Sequence, residues 1–310
     1  KKTPGKAGKL RRPFFSARTL PPKTVSTKSN NNSKPGDVPS GDTLSFCNTF
    51  ISNMLKTHPS YLTAFQSGKL KKTVEQAWQM LESCSICPRQ CGVNRLKDQK
   101  GFCRTGIRAA VCSSMAHHGE EPPISGNRGS GTIFFTHCNM SCLYCQNYEF
   151  SQEGQGREVD AHELADIMLK LQNEGCHNIN FVTPTHVMPQ ILKSLETAIE
   201  KGLKIPIVYN TGGYESLPVL KLLEGIVDFY LPDMRYGNAD ASAKFSRAPD
   251  YPRYNQEAVL EMHRQVGIAE MDEEGIIKKG LVIRHLVLPN RISGTKEIMR
   301  RIVNPAMRTD

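Results

Sequence analysis

Thr132-Ile-Phe-Phe-Thr136-His-Cys138-Asn-Met-Ser-Cys142-Leu-Tyr-Cys145 is the stretch whose reading decides the fold. Its β-branched and aromatic opening, Thr132 to Thr136, predicts a buried strand. Cys138, Cys142 and Cys145 follow directly, spaced C-x3-C-x2-C. Three thiolates therefore leave one strand end together, in a loop tight enough to wrap a single inorganic group. A cubane of four irons ordinarily takes four ligands, so three cysteines would leave one iron open to a substrate or cofactor. The competing readings are a zinc knuckle and a set of buried free thiols. His137 could complete a zinc set, but only by closing the site.

Outward from this stretch, composition sets limits. The chain has 310 residues and a net charge of +10, enough length for one sizeable α/β core with appendages. Residues 1–42 carry ten Lys/Arg against Asp37 and Asp42, and the remaining residues hold 30 basic against 28 acidic. The body is nearly neutral, so no nucleic-acid partner is expected. No apolar run has the length of a membrane span, so no membrane partner is expected either. Ten cysteines at metal-like spacings fit a reducing compartment, cytoplasm or mitochondrial matrix, better than a secreted disulfide framework.

Residues 1–42, rich in Lys, Arg, Ser, Thr, Asn and Pro, read as a disordered basic tail. Within them Leu10-Arg-Arg-Pro-Phe-Phe-Ser-Ala-Arg-Thr-Leu20 has the basic, hydroxylated, acid-free character of an organellar presequence, though Pro13 interrupts its helix. Residues 43–125 read as a helical cap and a Cys-rich metal-binding segment. Phe46, Phe50, Ile51, Met54 and Leu55, then Leu70, Val74, Trp78 and Leu81, repeat at helix spacing. After them come Cys84, Cys87, Cys91 and Cys103, spaced C-x2-C-x3-C-x11-C. With Gly92 and Gly101 to turn the chain, four thiolates can surround either Zn or an auxiliary iron-sulfur cluster, and the spacing does not choose between them. Cys112 could serve as a spare ligand; Cys47 and Cys176 fall within helical patterns as buried thiols.

The trio, with Tyr144 just before its last cysteine, resembles the radical S-adenosylmethionine (SAM) superfamily. Cys84-Ser-Ile-Cys-Pro-Arg-Gln-Cys-Gly-Val-Asn-Arg95, Glu120-Glu-Pro-Pro-Ile-Ser-Gly126 and Cys145-Gln-Asn147 further resemble homologues of the pyruvate formate-lyase activating enzyme. The resemblance implies a 4Fe-4S cluster on Cys138, Cys142 and Cys145 whose open iron chelates SAM. It also implies one-electron cleavage to a 5'-deoxyadenosyl radical and hydrogen abstraction from a substrate. Implied partners are a reductant such as flavodoxin or ferredoxin and a protein target, with a small molecule or a non-catalytic metal-binding role as alternatives.

Beyond Cys145 strand and helix alternate. Helices are predicted at 159–173, 188–201, 215–223, 255–266 and 295–303, with strands at 177–182, 205–209, 226–231 and 281–288. This is an α/β pattern of parallel β/α units with the site at the strand ends. Against the family's partial barrel of six units, residues 126–310 supply five, so a C-terminally truncated core with an exposed parallel edge at 281–288 is expected. At the strand ends Thr183-Pro-Thr185-His186 stands where relatives carry Gly-Gly-Glu. Asn210 and Thr211 precede two glycines, and Asp233 and Arg235 can pair with the cofactor's polar groups. Tyr144, Thr183, Thr185, Asn210, Thr211, Asp233 and Arg235 are thus the expected SAM contacts. His186, Arg284 and His285 are weaker candidates.

Overall fold

β-branched and aromatic runs become strands buried on both faces, as a parallel sheet covered by helices requires. The computed structural model describes residues 58–303. The basic tail, its presequence-like run and the first helical stripe, Phe46 to Leu55, lie outside the described residues. Five strands run parallel in the order β2 (Ser130–Phe135), β4 (Ile179–Val182), β5 (Ile207–Thr211), β6 (Phe229–Pro232) and β8 (Ile277–Leu281). Ile133, Phe181, Tyr209 and Tyr230 from adjacent strands are almost wholly buried. This is the partial β/α barrel that the alternation predicts.

Helices fall close to their expected bounds: α5 (Ala161–Asn173), α6 (Met188–Glu200), α7 (Leu217–Leu222), α9 (Tyr251–Val266) and α10 (Thr295–Ile302). Local chemistry sets their starts. Asp160 accepts from the backbone N–H of His162 and Glu163 while Glu163 reaches back to the Asp160 N–H, a capping box. Of the N-terminal cap, α1 (Ser60–Gln66) and α2 (Lys69–Gln79) pack against the barrel, and the Tyr61 hydroxyl donates to Ile205 O at 2.9 Å. Asp228 lies at the start of β6 and accepts from the Ser60 and Ile207 N–H groups. None of these helices is long and apolar enough to cross a membrane.

Three strands extend the sheet. β1 (Ala109–His117) is antiparallel to β2, and β3 (Arg157–Val159) is antiparallel to β1. At the opposite end the two-residue β7 (Glu270–Met271) pairs antiparallel with β8. β7 covers the outer side of β8 at Ile277 and Lys279, and the edge expected at 281–288 does not form as a strand beyond Leu281. The last parallel strand is 277–281 rather than 281–288: β6 pairs with it at Gly280 and Leu281, and β7 pairs with it at Ile277 and Lys279. Beyond it only the single bridge Asp233–Arg284 continues the ladder.

Candidate cluster and cofactor site

Each cysteine of the trio has its own hydrogen-bond neighbour. The Met140 N–H donates to Cys138 Sγ at 3.3 Å, within the loop. The Ser246 hydroxyl donates to Cys142 Sγ at 2.9 Å from the end of α8 (Ala239–Ser246), with Arg235 Nη1 at 3.8 Å. Ser151 Oγ, ending α4 (Tyr148–Ser151), lies 3.2 Å from Cys145 Sγ. Donors aimed at sulfur favour thiolate and tune whatever metal it binds. Desolvation pushes the Cys138 thiol up to about 12, so its proton leaves only when a cation takes its place.

Next to the trio lies a cavity of about 740 Å3 at the carboxyl ends of the strands. Tyr144, Cys145, Thr183, Asn210, Thr211, Asp233 and Arg235, all expected from the sequence, line it. Arg235 Nη2 donates to Asp233 at 2.5 Å, and both side chains are about one-fifth exposed. Tyr144 Oη and Arg235 Nε are buried polar atoms without a protein partner. Lining carboxylates Glu120, Glu121 and Asp233 outnumber the guanidiniums Arg235 and Arg284 by one. A cavity with this balance suits a ligand of net positive charge, such as a sulfonium nucleotide, and the residues present fit the group.

Two strand ends adopt backbone that a Cβ disfavours: His137 at φ 66° after β2 and Thr183 at φ 58° after β4. Such outliers gather at ligand sites, where the surrounding structure holds them. Gly213 turns the β5 end at φ 75°, and a Cβ there would run into Asn255 and the Asp233 carbonyl. Asn255 Nδ2 donates to both Gly213 O and Asp233 O, and the Tyr251 hydroxyl lies 2.9 Å from Gly212 O, so α9 braces two strand ends at once.

Other expectations are corrected. Thr185 does not line the cavity; its hydroxyl donates to the buried Glu215 at 2.5 Å, and Thr211 donates to the same carboxylate. Burial pushes Glu215 up to about 7. His186 is also buried, its Nε2–H donating to Thr136 O at 2.8 Å; burial holds it neutral by lowering it to about 3. Arg284, a weaker candidate, is central: its guanidinium joins Glu121 at 2.7 Å, Glu120 and Asn210. Glu120 also accepts from Asn180. Glu120 and Glu121 stood in a quoted motif, but nothing in their local pattern signalled that they turn into the barrel. Ser246 lies 104 residues from Cys142, and no spacing could have paired them.

The second constellation forms a closed turn. Cys84 N bonds Val93 O, Gly92 N bonds Cys84 O and Gln90 N bonds Cys87 O, while Gln90 and Gly92 take positive φ. Cys84, Cys87 and Cys103 are buried, Cys91 half-buried, and all described cysteines are free, with Cys112 exposed and Cys176 buried. Gly101 is obligatory, since a Cβ there would sit 2.8 Å from Cys91 Sγ. The other three thiols lie within electrostatic reach of Cys87, and the Arg89 N–H donates to its sulfur. Among the described residues no three Cys, His, Asp or Glu side chains stand at the spacing for one bound ion. A cubane spreads its thiolates over separate irons and does not require that spacing.

A model of the Radical SAM superfamily matches residues 132–300, more than half of the chain. The uncharacterized protein MJ0674 of Methanocaldococcus jannaschii is 32% identical over 229 residues, 71% of this chain and 61% of that protein. A second uncharacterized protein of the same organism, MJ0808, is 28% identical over 182 residues, about half of each chain. The chain thus spans less than two thirds of these relatives' length. Both relatives are archaeal and lend no support to a mitochondrial presequence. The superfamily's cofactors are a 4Fe-4S cluster and SAM. With its three-cysteine strand end, parallel half-barrel and matched core, the chain belongs to the Radical SAM superfamily.

Proposed function

We propose that this protein is a radical SAM enzyme in which Cys138, Cys142 and Cys145 ligate the cluster. In this reading Tyr144, Thr183, Asn210, Thr211, Asp233 and Arg235 contact SAM. The observation that carries it is the trio of sulfurs, each with its own hydrogen-bond neighbour, beside a cavity of about 740 Å3. When bound, the cluster and SAM supply one-electron cleavage of the sulfonium and a carbon radical that abstracts hydrogen. The chain's part is to hold three thiolates, leave one side open, and present polar groups there. Arg235, paired with Asp233, offers a guanidinium to a carboxylate; Asp233 offers an acceptor to a hydroxyl or ammonium.

The activating-enzyme likeness supports a protein glycine, or another macromolecule, as target, with flavodoxin or ferredoxin as reductant. A charged small molecule is the second reading, favoured by Glu120, Glu121 and Arg284 inside the cavity. We assign the turn of Cys84, Cys87, Cys91 and Cys103 a second metal, Zn or an auxiliary cluster. Its support is that the other three thiols lie within electrostatic reach of Cys87, whose sulfur also accepts an amide N–H. Anaerobic reconstitution tests the whole. The expected result is about four irons at the trio, a reduced-cluster EPR signal perturbed by SAM, and dithionite-dependent 5'-deoxyadenosine. Zinc alone with no such product would overturn it. Metal lost on replacing Cys84→Ala and Cys87→Ala together identifies the second centre.

A further inference from the structure

Arg89 lies inside the second cysteine turn, between Cys87 and Cys91, yet its side chain reaches the cluster loop. Its Nε donates to Asn139 O at 3.0 Å. The guanidinium carbon stacks 3.8 Å from the Phe102 ring centroid and 5.3 Å from that of Tyr214. Asn139, almost wholly buried, is itself fixed by donating to Tyr214 O at 2.7 Å. The carbonyl that Arg89 holds and the Met140 N–H that meets Cys138 Sγ at 3.3 Å belong to one peptide group. A cation hydrogen-bonded to one end of an amide fixes the peptide plane and polarises its other end, making the N–H a stronger donor.

We infer that Arg89 is a positioning residue for the cluster, acting through the Asn139–Met140 peptide to orient and strengthen the hydrogen bond on Cys138. The second cysteine turn is then the rigid mount that aims it. The same turn is tied inward by Arg95, buried, whose guanidinium donates to Gly106 O and His186 O. Displacing the mount therefore displaces the charge. Hydrogen bonds to cluster sulfurs raise the reduction potential, because they stabilise the more negative, reduced state. The inference rests on the cluster assignment above and deepens it, by joining two cysteine motifs that are otherwise separate.

The experiment is an EPR-monitored redox titration of the reconstituted full chain, wild type against Arg89→Ala and Arg89→Lys. Iron is counted first in each protein and in Cys84→Ala. Arg89→Ala is expected to keep its fold by circular dichroism and to need a more reducing poise. The reduced-to-oxidised ratio at fixed potential should fall roughly tenfold, which is about 59 mV for a one-electron couple. Arg89→Lys, which keeps a charge able to reach the carbonyl but loses the planar stack, should recover part of that shift. If Arg89→Ala does not fold, the lysine variant decides, by a smaller shift of the same sign. Potentials in both foldable variants equal to wild type would overturn the inference while leaving the enzyme reading intact. Wild type with no cubane at the trio would overturn both, and the iron count separates these outcomes.

Discussion

The two cysteine constellations use the same side chain at nearly mirrored spacings, C-x3-C-x2-C and C-x2-C-x3-C, and do opposite things with it. The first stands at the mouth of β2 and looks into a cavity, with sulfur donors drawn from α4 and α8 as well as its own loop. The second curls on itself, buries three of its four thiols and is braced by its own backbone. Spacing alone therefore reports that a chain can gather sulfur; what lies beyond the sulfur decides between reaction and structure. The open site draws its sulfur donors from distant elements, whereas the closed turn is held by its own backbone and tied to the barrel through Arg89 and Arg95.

The sharpest break of this contrast is to remove one proposed ligand from each constellation. Cys142→Ser should reduce SAM cleavage, measured as 5'-deoxyadenosine, to background while leaving the melting temperature nearly unchanged. Cys87→Ser should do the reverse in emphasis, costing about 2 kcal/mol or more and lowering the melting point by about 5 °C. Equal effects of the two on stability would erase the distinction.

The next concerns the buried carboxyl beneath the open site. Glu215 has its value raised from 4.5 to about 7 by burial. It binds its proton more tightly when folded, so its contribution to stability is full below 4.5 and is lost as pH climbs through about 7. The loss is on the order of 3 kcal/mol. Denaturant titrations between pH 4.5 and 7.5 should show that decline, and Glu215→Gln should flatten it. A decline of unchanged slope in the variant would assign it elsewhere.

The smallest expected effect refines the open site alone. Ser246→Ala removes the hydroxyl on Cys142 and, at about 1 kcal/mol for one hydrogen bond, should lower the potential by about 40 mV for a one-electron couple. Redox titration reads it, and an unmoved potential would detach α8 from cluster tuning.

How much was legible divides along the same line. The parallel strands were readable because a strand buried on both faces is mostly apolar, as Phe229–Leu231 is and as Ile179–Val182 is but for the buried Asn180. The last strand was misplaced because Leu281-Val-Ile and Leu286-Val-Leu are the more apolar runs. Pairing instead uses Ile277-Lys-Lys-Gly-Leu281, which meets β6 at Gly280 and Leu281 and the short β7 at Ile277 and Lys279. The long β1, the short β3 and α8 depend on tertiary neighbours and left no periodic trace. In the site, the cysteines announced themselves, whereas the roles of Thr185, Ser246 and Glu120 depend on which distant group each one meets.

The sheet is closed at its flanks by strands of only three and two residues, β3 and β7. A foreign strand approaching the β7 flank would find few free amides in register to template it, whereas β1 beyond Val111 pairs only with β2 and leaves its outer side for such a strand. Lateral recruitment of a neighbouring strand is thereby confined to the β1 flank, away from the strand mouths where a cofactor would enter.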